Sequence, residues 1–195
     1  MNWQYLRTRP GLGKLAILVY GIVVLVVGLH SHFQSSWKVI VEQLRMCDRI
    51  EENIEELRVL TPGLQQCPPF ELEEFFIAIV VLCFILSEHN LLISVLTDAT
   101  NRGTYKQVDF SFHCLASVLL MIAGLVYIVS AEQIHELSTT LRLRGTDGTI
   151  LILRRGEKIT AGTLALIQAV LYGVTAFYIA KPDPQPQLGT RFGPA

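Results

Sequence analysis

Four stretches of the chain run for at least about 18 residues with little or no charge, the length needed to cross about 30 Å of hydrocarbon at 1.5 Å per helical residue. They are Leu15–Phe33, Phe75–Thr97, Phe110–Ala131 and Ile159–Ala180. The first, third and fourth contain no Asp, Glu, Lys or Arg. Hydrocarbon offers the backbone no hydrogen-bond partner, so each is predicted to be a helix that satisfies its own N–H and C=O groups. The second is interrupted by Ser87-Glu88-His89-Asn90. Ending it at Leu86 would leave a segment too short to cross, and Asp98-Ala99-Thr100-Asn101-Arg102-Gly103 supplies the better exit turn. The first span follows Arg7, Arg9 and Lys14, but no small-residue cleavage pattern succeeds it, so it reads as a retained helix rather than a removed leader.

The connections carry patterns of their own. Between the first two spans, Trp37, Ile40, Val41, Leu44, Cys47, Ile50, Ile54 and Leu57 recur at three- and four-residue steps opposite a Glu-rich face, which predicts an amphipathic helix outside the bilayer. Its apolar stripe either packs on the spans and the membrane surface or meets a partner through Trp37, Leu44 and Ile54. Between the last two spans, alternating runs flank Gly145-Thr146-Asp147-Gly148. A short β-hairpin is predicted there, with Leu141, Leu143, Ile150 and Ile152 on one side and Arg142 and Arg144 on the other. The competing reading continues the third span as helix through Glu136. The basic residues Arg142, Arg144, Arg154 and Arg155 of this connection are further candidates for partner contacts.

The expected architecture is an all-α membrane protein, a four-transmembrane-helix bundle with an extramembrane insert at 34–74 and a candidate hairpin between helices three and four. Residues 1–181 form one transmembrane domain, and 182–195, with four prolines, form a flexible tail. Composition agrees: of 195 residues 51% are hydrophobic and 17% charged, against about 25% charge in an average soluble protein. A net charge of −1 leaves no basic excess to hold a phosphate backbone, so nucleic acid is excluded as a partner.

An even number of crossings places both ends of the chain on one side with the Asp98–Asp109 link. Basic residues are denser there (Arg7, Arg9, Lys14, Arg102, Lys106, Lys181 and Arg191), which favours cytoplasmic termini, although Arg142, Arg144, Arg154, Arg155 and Lys158 pull the other way. Cys47 and Cys67 would then lie on the oxidising side and could form a disulfide closing a loop of about twenty residues, worth about 3 kcal/mol in the chain-entropy account. Two free thiols are the alternative. Cys83 and Cys114 fall within spans and read as packing residues.

Inside the spans, Ala161, Ala165, Ala169 and Gly173 recur every four residues, a small-residue row that lets another helix approach closely. Gly21 and Gly28 in the first span and Ala116, Ala123 and Gly124 in the third can play the same part. Such a face serves packing within the bundle or self-association. Glu88 is the carboxylate well inside a span, and His89, Asn90 and, on the next helix, His113 are its candidate partners. Hydrogen bonding within the bundle is the plain reading; proton or cation translocation through Glu88 and His113 is the functional one.

The order of features resembles the MARVEL-domain family of four-pass membrane proteins, which includes myelin-and-lymphocyte-like proteins, plasmolipin and the chemokine-like-factor relatives. The matching residues are YLRTRPGLGKLAILVYGIVVLVVG at the start, FHCLASVLLMIAGLVYIVSA in the third span and AGTLALIQAVLYGVTAFYIA in the fourth. The resemblance implies cytoplasmic termini, a plasma-membrane or vesicle location, and roles in membrane apposition, vesicle traffic or cell junctions, often by self-association in sterol-rich membrane. It implies no catalytic residues. The insert between the first two spans departs from the small family members, so partner contacts there do not carry over.

No G-x-S-x-G, H-E-x-x-H or Walker loop occurs, and His30, His32, His89, His113 and His135 are dispersed. His30 and His32, two apart, do not share a helix face, so neither metal nor cofactor is expected. The expected function is that of a non-enzymatic tetraspan organiser or accessory subunit whose partners are the lipid bilayer, other membrane proteins or its own copies. A channel or transporter component and a lipid- or sterol-binding protein are the alternatives.

Overall fold

A computed structural model describes residues 3–37, 70–96, 103–140 and 153–181. Among them four long helices occur and no strand: α1 (Arg9–Phe33), α2 (Glu71–Leu96), α3 (Gly103–Thr140) and α4 (Arg155–Ala180). All four are long and apolar enough to cross a membrane, so the chain is built as an integral multi-pass membrane protein. Each helix packs on its neighbours in a ring, α1 beside α2 and α4, and α3 beside α2 and α4, which leaves α1/α3 and α2/α4 on the diagonals. The start of α1, the end of α2, the start of α3 and the end of α4 form the termini end of the bundle; the opposite end is the loop end.

The helices overrun the predicted spans. α1 begins six residues before Leu15 because Thr8 caps it: the Thr8 hydroxyl accepts from the Gly11 N–H at 3.2 Å and donates to the Tyr5 carbonyl at 2.6 Å, and Pro10 supplies a preset first turn. A short 3-10 turn, Trp3–Arg7, folds back on this start. Gly11 permits the contact, since a Cβ there would collide with the Tyr5 carbonyl. α2 is unbroken through Ser87-Glu88-His89-Asn90, and α3 continues past Glu136 to Thr140, the helical alternative for that region. The rest of the proposed hairpin, with Arg142 and Arg144, lies outside the described residues, as does the amphipathic insert from residue 38 to residue 69 with Cys47, Cys67, Leu44 and Ile54. The proline-rich tail lies outside them too.

The core follows three- and four-residue steps on every helix. Ile17, Gly21, Val24 and Gly28 of α1 face Phe76, Val80 and Cys83 of α2, Ala116, Leu120, Ala123 and Tyr127 of α3, and Ala161, Ala165, Ala169 and Tyr172 of α4. Phe76 stacks flat on Tyr127 at 4.0 Å between ring centroids. Outside, the surface is apolar, with Val19, Val26, Leu115 and Val118 exposed and Phe177 open over 64% of its surface. Such a surface suits lipid rather than water.

The small-residue row requires one correction. Ala161, Ala165 and Ala169 are fully buried, but Gly173 is exposed, and a Cβ on it would meet only the Ser117 hydroxyl at 3.5 Å. A four-residue step advances about 40° beyond a full turn, so the row drifts off the buried face and Tyr172 and Ala176 replace Gly173 there. The closest helix crossing is instead Gly124 on Gly162: a Cβ on either glycine would sit 2.9 Å from the other's carbonyl oxygen. Gly21 and Gly28 do pack, against Gln168 and Phe84, and against Phe76. Replacing Gly162 with Val should therefore cost about 1–3 kcal/mol by overpacking, read as a lowered melting temperature in detergent, while Gly173→Ala should leave the melting temperature unchanged.

Candidate functional site

Among the described residues the interior contains two lysine–carboxylate ion pairs, one near each end, and each spans a diagonal of the ring. At the termini end the Lys14 ammonium of α1 lies 2.7 Å from the Asp109 carboxylate of α3. An ammonium has three N–H bonds, and Lys14 has three acceptors: Asp109, the Asn90 side-chain oxygen at 2.7 Å and the Ser94 hydroxyl at 2.9 Å. The Asn90 amide donates to the other Asp109 oxygen at 2.8 Å. Tyr105 closes the group, its hydroxyl 2.9 Å from Ser94 and 3.0 Å from the Asn90 side-chain oxygen. The Nδ1 of His113 faces two acceptors, the Asp109 carbonyl at 2.8 Å and the Asp109 carboxylate at 3.1 Å, so Nδ1 carries the proton. The rings of Tyr5 and Tyr105 lie over the ammonium at 5.5 and 5.8 Å. Burial, with the Asp109 charge adding to it, pushes the Tyr5 phenol above its ordinary range.

At the loop end Lys158 of α4 donates to Glu73 of α2 at 2.5 Å, both side chains being almost wholly enclosed. His32 of α1 approaches the second Glu73 oxygen at 3.3 Å and stacks on Phe70. Beneath them the hydroxyls of Ser31 and Tyr127 meet at 2.8 Å. An outer rim follows: His30 contacts Glu157 at 2.9 Å, Arg154 pairs with the same carboxylate, and Arg155 joins α4 to Glu132 of α3. Arg154 takes a left-handed conformation, φ 51°, to turn the chain into α4. Seventeen residues of α2, about 25 Å of helix, separate Glu73 from Asn90, which sets the two charged layers near the two faces of a hydrocarbon slab.

Between the layers, polar contacts are few and internal. Tyr172 and Ser87 share a hydrogen bond, the Tyr172 hydroxyl reaches the Cys83 carbonyl at 3.2 Å, and the Ser117 hydroxyl donates to the Ala169 carbonyl at 2.8 Å. Cys83 is a buried free thiol and Cys114 a partly buried one, in keeping with a packing role.

Of the four polar residues read as one intramembrane group, the structure unites only Asn90 and His113. Glu88 and His89 point outward, exposed on the far side of α2, and make no hydrogen bond or ion pair among the described residues. Glu88 is thus not a partner of His113. Trp37, a partner-facing candidate, is fully buried. Arg154 and Arg155 stand at the loop-end rim, held by Glu157 and Glu132. Lys14, Asp109, Glu73 and Lys158 fall outside the predicted spans, which end at the first charge. Their signal lies in periodicity: Lys14 precedes Ile17, Gly21 and Val24, and Asp109 precedes His113, Ala116 and Leu120, by the same three- and four-residue steps as the apolar core. Among the described residues no three His, Cys, Asp or Glu side chains come together in a manner suited to a metal ion.

An unpaired buried charge costs far more than a missing pair. Lys14→Met and Asp109→Leu are each expected to destabilise the bundle by about 3–5 kcal/mol in detergent unfolding, while the double variant recovers most of that loss. The same cycle should hold for Glu73 and Lys158.

Comparison with protein-family models, with curated proteins and with solved structures gave no match for this chain.

Proposed function

We propose that the chain is a non-enzymatic tetraspan organiser or accessory subunit of a membrane, serving membrane apposition, vesicle trafficking, cell junctions or the assembly of a membrane complex. The observation that carries this reading is the commitment of the buried charges to one another. Lys14, Asp109, Glu73 and Lys158 are spent on tying opposite helices together, and the slab between them is filled by Val24, Val80, Leu120, Ala123 and Ala165. Function then falls to the outer helix faces and to the extramembrane connections. The resemblance to MARVEL-domain proteins supports the same reading, as does cytoplasmic placement of the termini, which the density of Arg7, Arg9 and Lys14 favours.

The alternative of a channel or transporter component lacks its facing pair, because Glu88 is exposed on the outside of α2 whereas His113 is buried against Asp109. A translocation route would have to run through Lys14, Asp109 and His113 instead.

Two measurements test the proposal together. In reconstituted vesicles the protein should give no proton or cation flux above that of empty vesicles. Deleting residues 38–60, which spares the buried Trp37, should remove co-purifying membrane proteins without lowering the melting temperature. A flux that disappears in Asp109→Asn would overturn the organiser reading.

A further inference from the structure

The outer seam between α3 and α4 ends, at the termini end, on two lysines. The Ser117 hydroxyl of α3 meets the Ala169 carbonyl of α4, one turn before Gly173. Gly173 is exposed, and only the Ser117 hydroxyl lies near the place of a Cβ, so the missing side chain leaves a notch on the seam. Toward the termini end the notch is followed by aromatic rings, Phe177 of α4, 64% exposed, and Phe110 of α3, 38% exposed. One turn further, Lys106 of α3 donates to the Lys181 carbonyl at 3.4 Å, and the Lys181 side chain is itself exposed. Lys106, Phe110 and Ser117 fall within about 40° of one another around α3, so they line one face. At this end no described carboxylate of α1, α3 or α4 is exposed, because Asp109 is enclosed with Lys14. The segments that flank this end in the sequence, 1–14, 97–109 and 181–195, carry seven basic residues and three acidic ones.

We propose that this seam is a binding site for an anionic phospholipid, its phosphate held by the Lys106 and Lys181 ammonium groups and one acyl chain lying in the notch at Gly173. Lysine stems run along apolar surface while their ammonium groups reach the headgroup level, and basic residues where helices meet that level attract anionic headgroups. Lys106 keeps N–H bonds for phosphate oxygens, since the Lys181 carbonyl takes one of its three. Depth agrees with a chain that starts there: eight residues separate Lys181 from Gly173, about 12 Å of helix, which stays within one leaflet of a slab about 30 Å thick. From Phe177 inward the surface is apolar, so the ligand that fits is negative at one end and hydrocarbon along the rest. That is a phospholipid rather than free phosphate. Arg9 of α1, its guanidinium over the Tyr178 ring at 5.9 Å, adds to the positive field beside α4. Lipid selectivity is read separately from flux and from co-purifying proteins, so its outcome leaves the organiser reading where it stands.

Spin-labelled lipids test the site on the full-length chain in phosphatidylcholine vesicles, where the motionally restricted fraction gives relative affinity. Labelled phosphatidylglycerol should be held more tightly than labelled phosphatidylcholine. Lys106→Gln with Lys181→Gln should lower the phosphatidylglycerol affinity about thirtyfold, roughly fivefold for each ammonium, and leave phosphatidylcholine unaffected. Gly173→Leu fills the notch and should lower the phosphatidylglycerol affinity several-fold while both lysines remain. Glycerol phosphate in excess should not displace the lipid, having a phosphate but no chain. Melting temperatures of both variants in detergent should stay within a few degrees of the parent, since Lys181 and Gly173 are exposed and Lys106 partly so. Equal affinity for the two lipids, or no loss in the double lysine variant, would overturn the proposal. So would an unchanged affinity in Gly173→Leu, which would mark a diffuse basic surface in place of a seated lipid, or displacement by glycerol phosphate, which would mark a phosphate site without a chain.

Discussion

Charge inside hydrocarbon is tolerated only with its counter-charge, and this constraint organises the bundle. Neighbouring helices in a ring are held by side-chain packing. Here the diagonals are bridged electrostatically, Lys14 to Asp109 between α1 and α3, and Glu73 to Lys158 between α2 and α4. The third helix at each level completes the coordination: α2 contributes Asn90 and Ser94 at the termini end, and α1 contributes His32 at the loop end. Each layer thereby fixes the rotation of three helices about their own axes, which the interchangeable Leu, Ile and Val side chains of a membrane core specify poorly. A well-packed apolar substitute for a buried pair is often equally stable, so net stability alone does not account for these pairs.

The slab between the layers is dense where glycine and alanine permit it. α4 presents Ala161, Ala165 and Ala169 inward, and Gly124 and Gly162 bring α3 and α4 to their closest crossing. Without a hydrophobic driving force between helices in lipid, such close backbone approach supplies the dispersion contacts that packing depends on. The aromatic pair Phe76 and Tyr127 fills the wider space toward the loop end, and Tyr172 fills it toward the termini end.

Much of this was legible in the sequence, and the remainder fails for identifiable reasons. Number, order and helical character of the spans follow from hydrocarbon thickness and from the needs of the backbone. Helix ends do not, because a hydropathy boundary falls at the first charge whereas a helix ends at its cap. Thr8 and the turn at Tyr5 set the start of α1, well before Lys14. Glu88 drew attention as the carboxylate deepest in a span, yet depth along the axis says nothing of rotation about it. The heptad phase of Phe76, Val80 and Cys83 puts Ser87 inside and Glu88 outside. Gly173 fails by the same arithmetic, a four-residue repeat being too long to stay on one face. Neighbour identity was beyond reach, for nothing in the pattern alone pairs Lys14 with Asp109 rather than with Glu73.

The diagonal arrangement also bears on how such a chain is made. Helices leave the ribosome in order, and α1 and α2 arrive carrying Lys14 and Glu73 without either counter-charge. The first debt of solvation is cleared when α3 delivers Asp109, the second only when α4 delivers Lys158. Of these four charges, a nascent chain halted after two helices leaves two without their partners, one halted after three leaves one, and the four-helix bundle leaves none. Delivery of the fourth helix and completion of the interior therefore coincide, which sets a chemical distinction between a bundle of two or three helices and one of four.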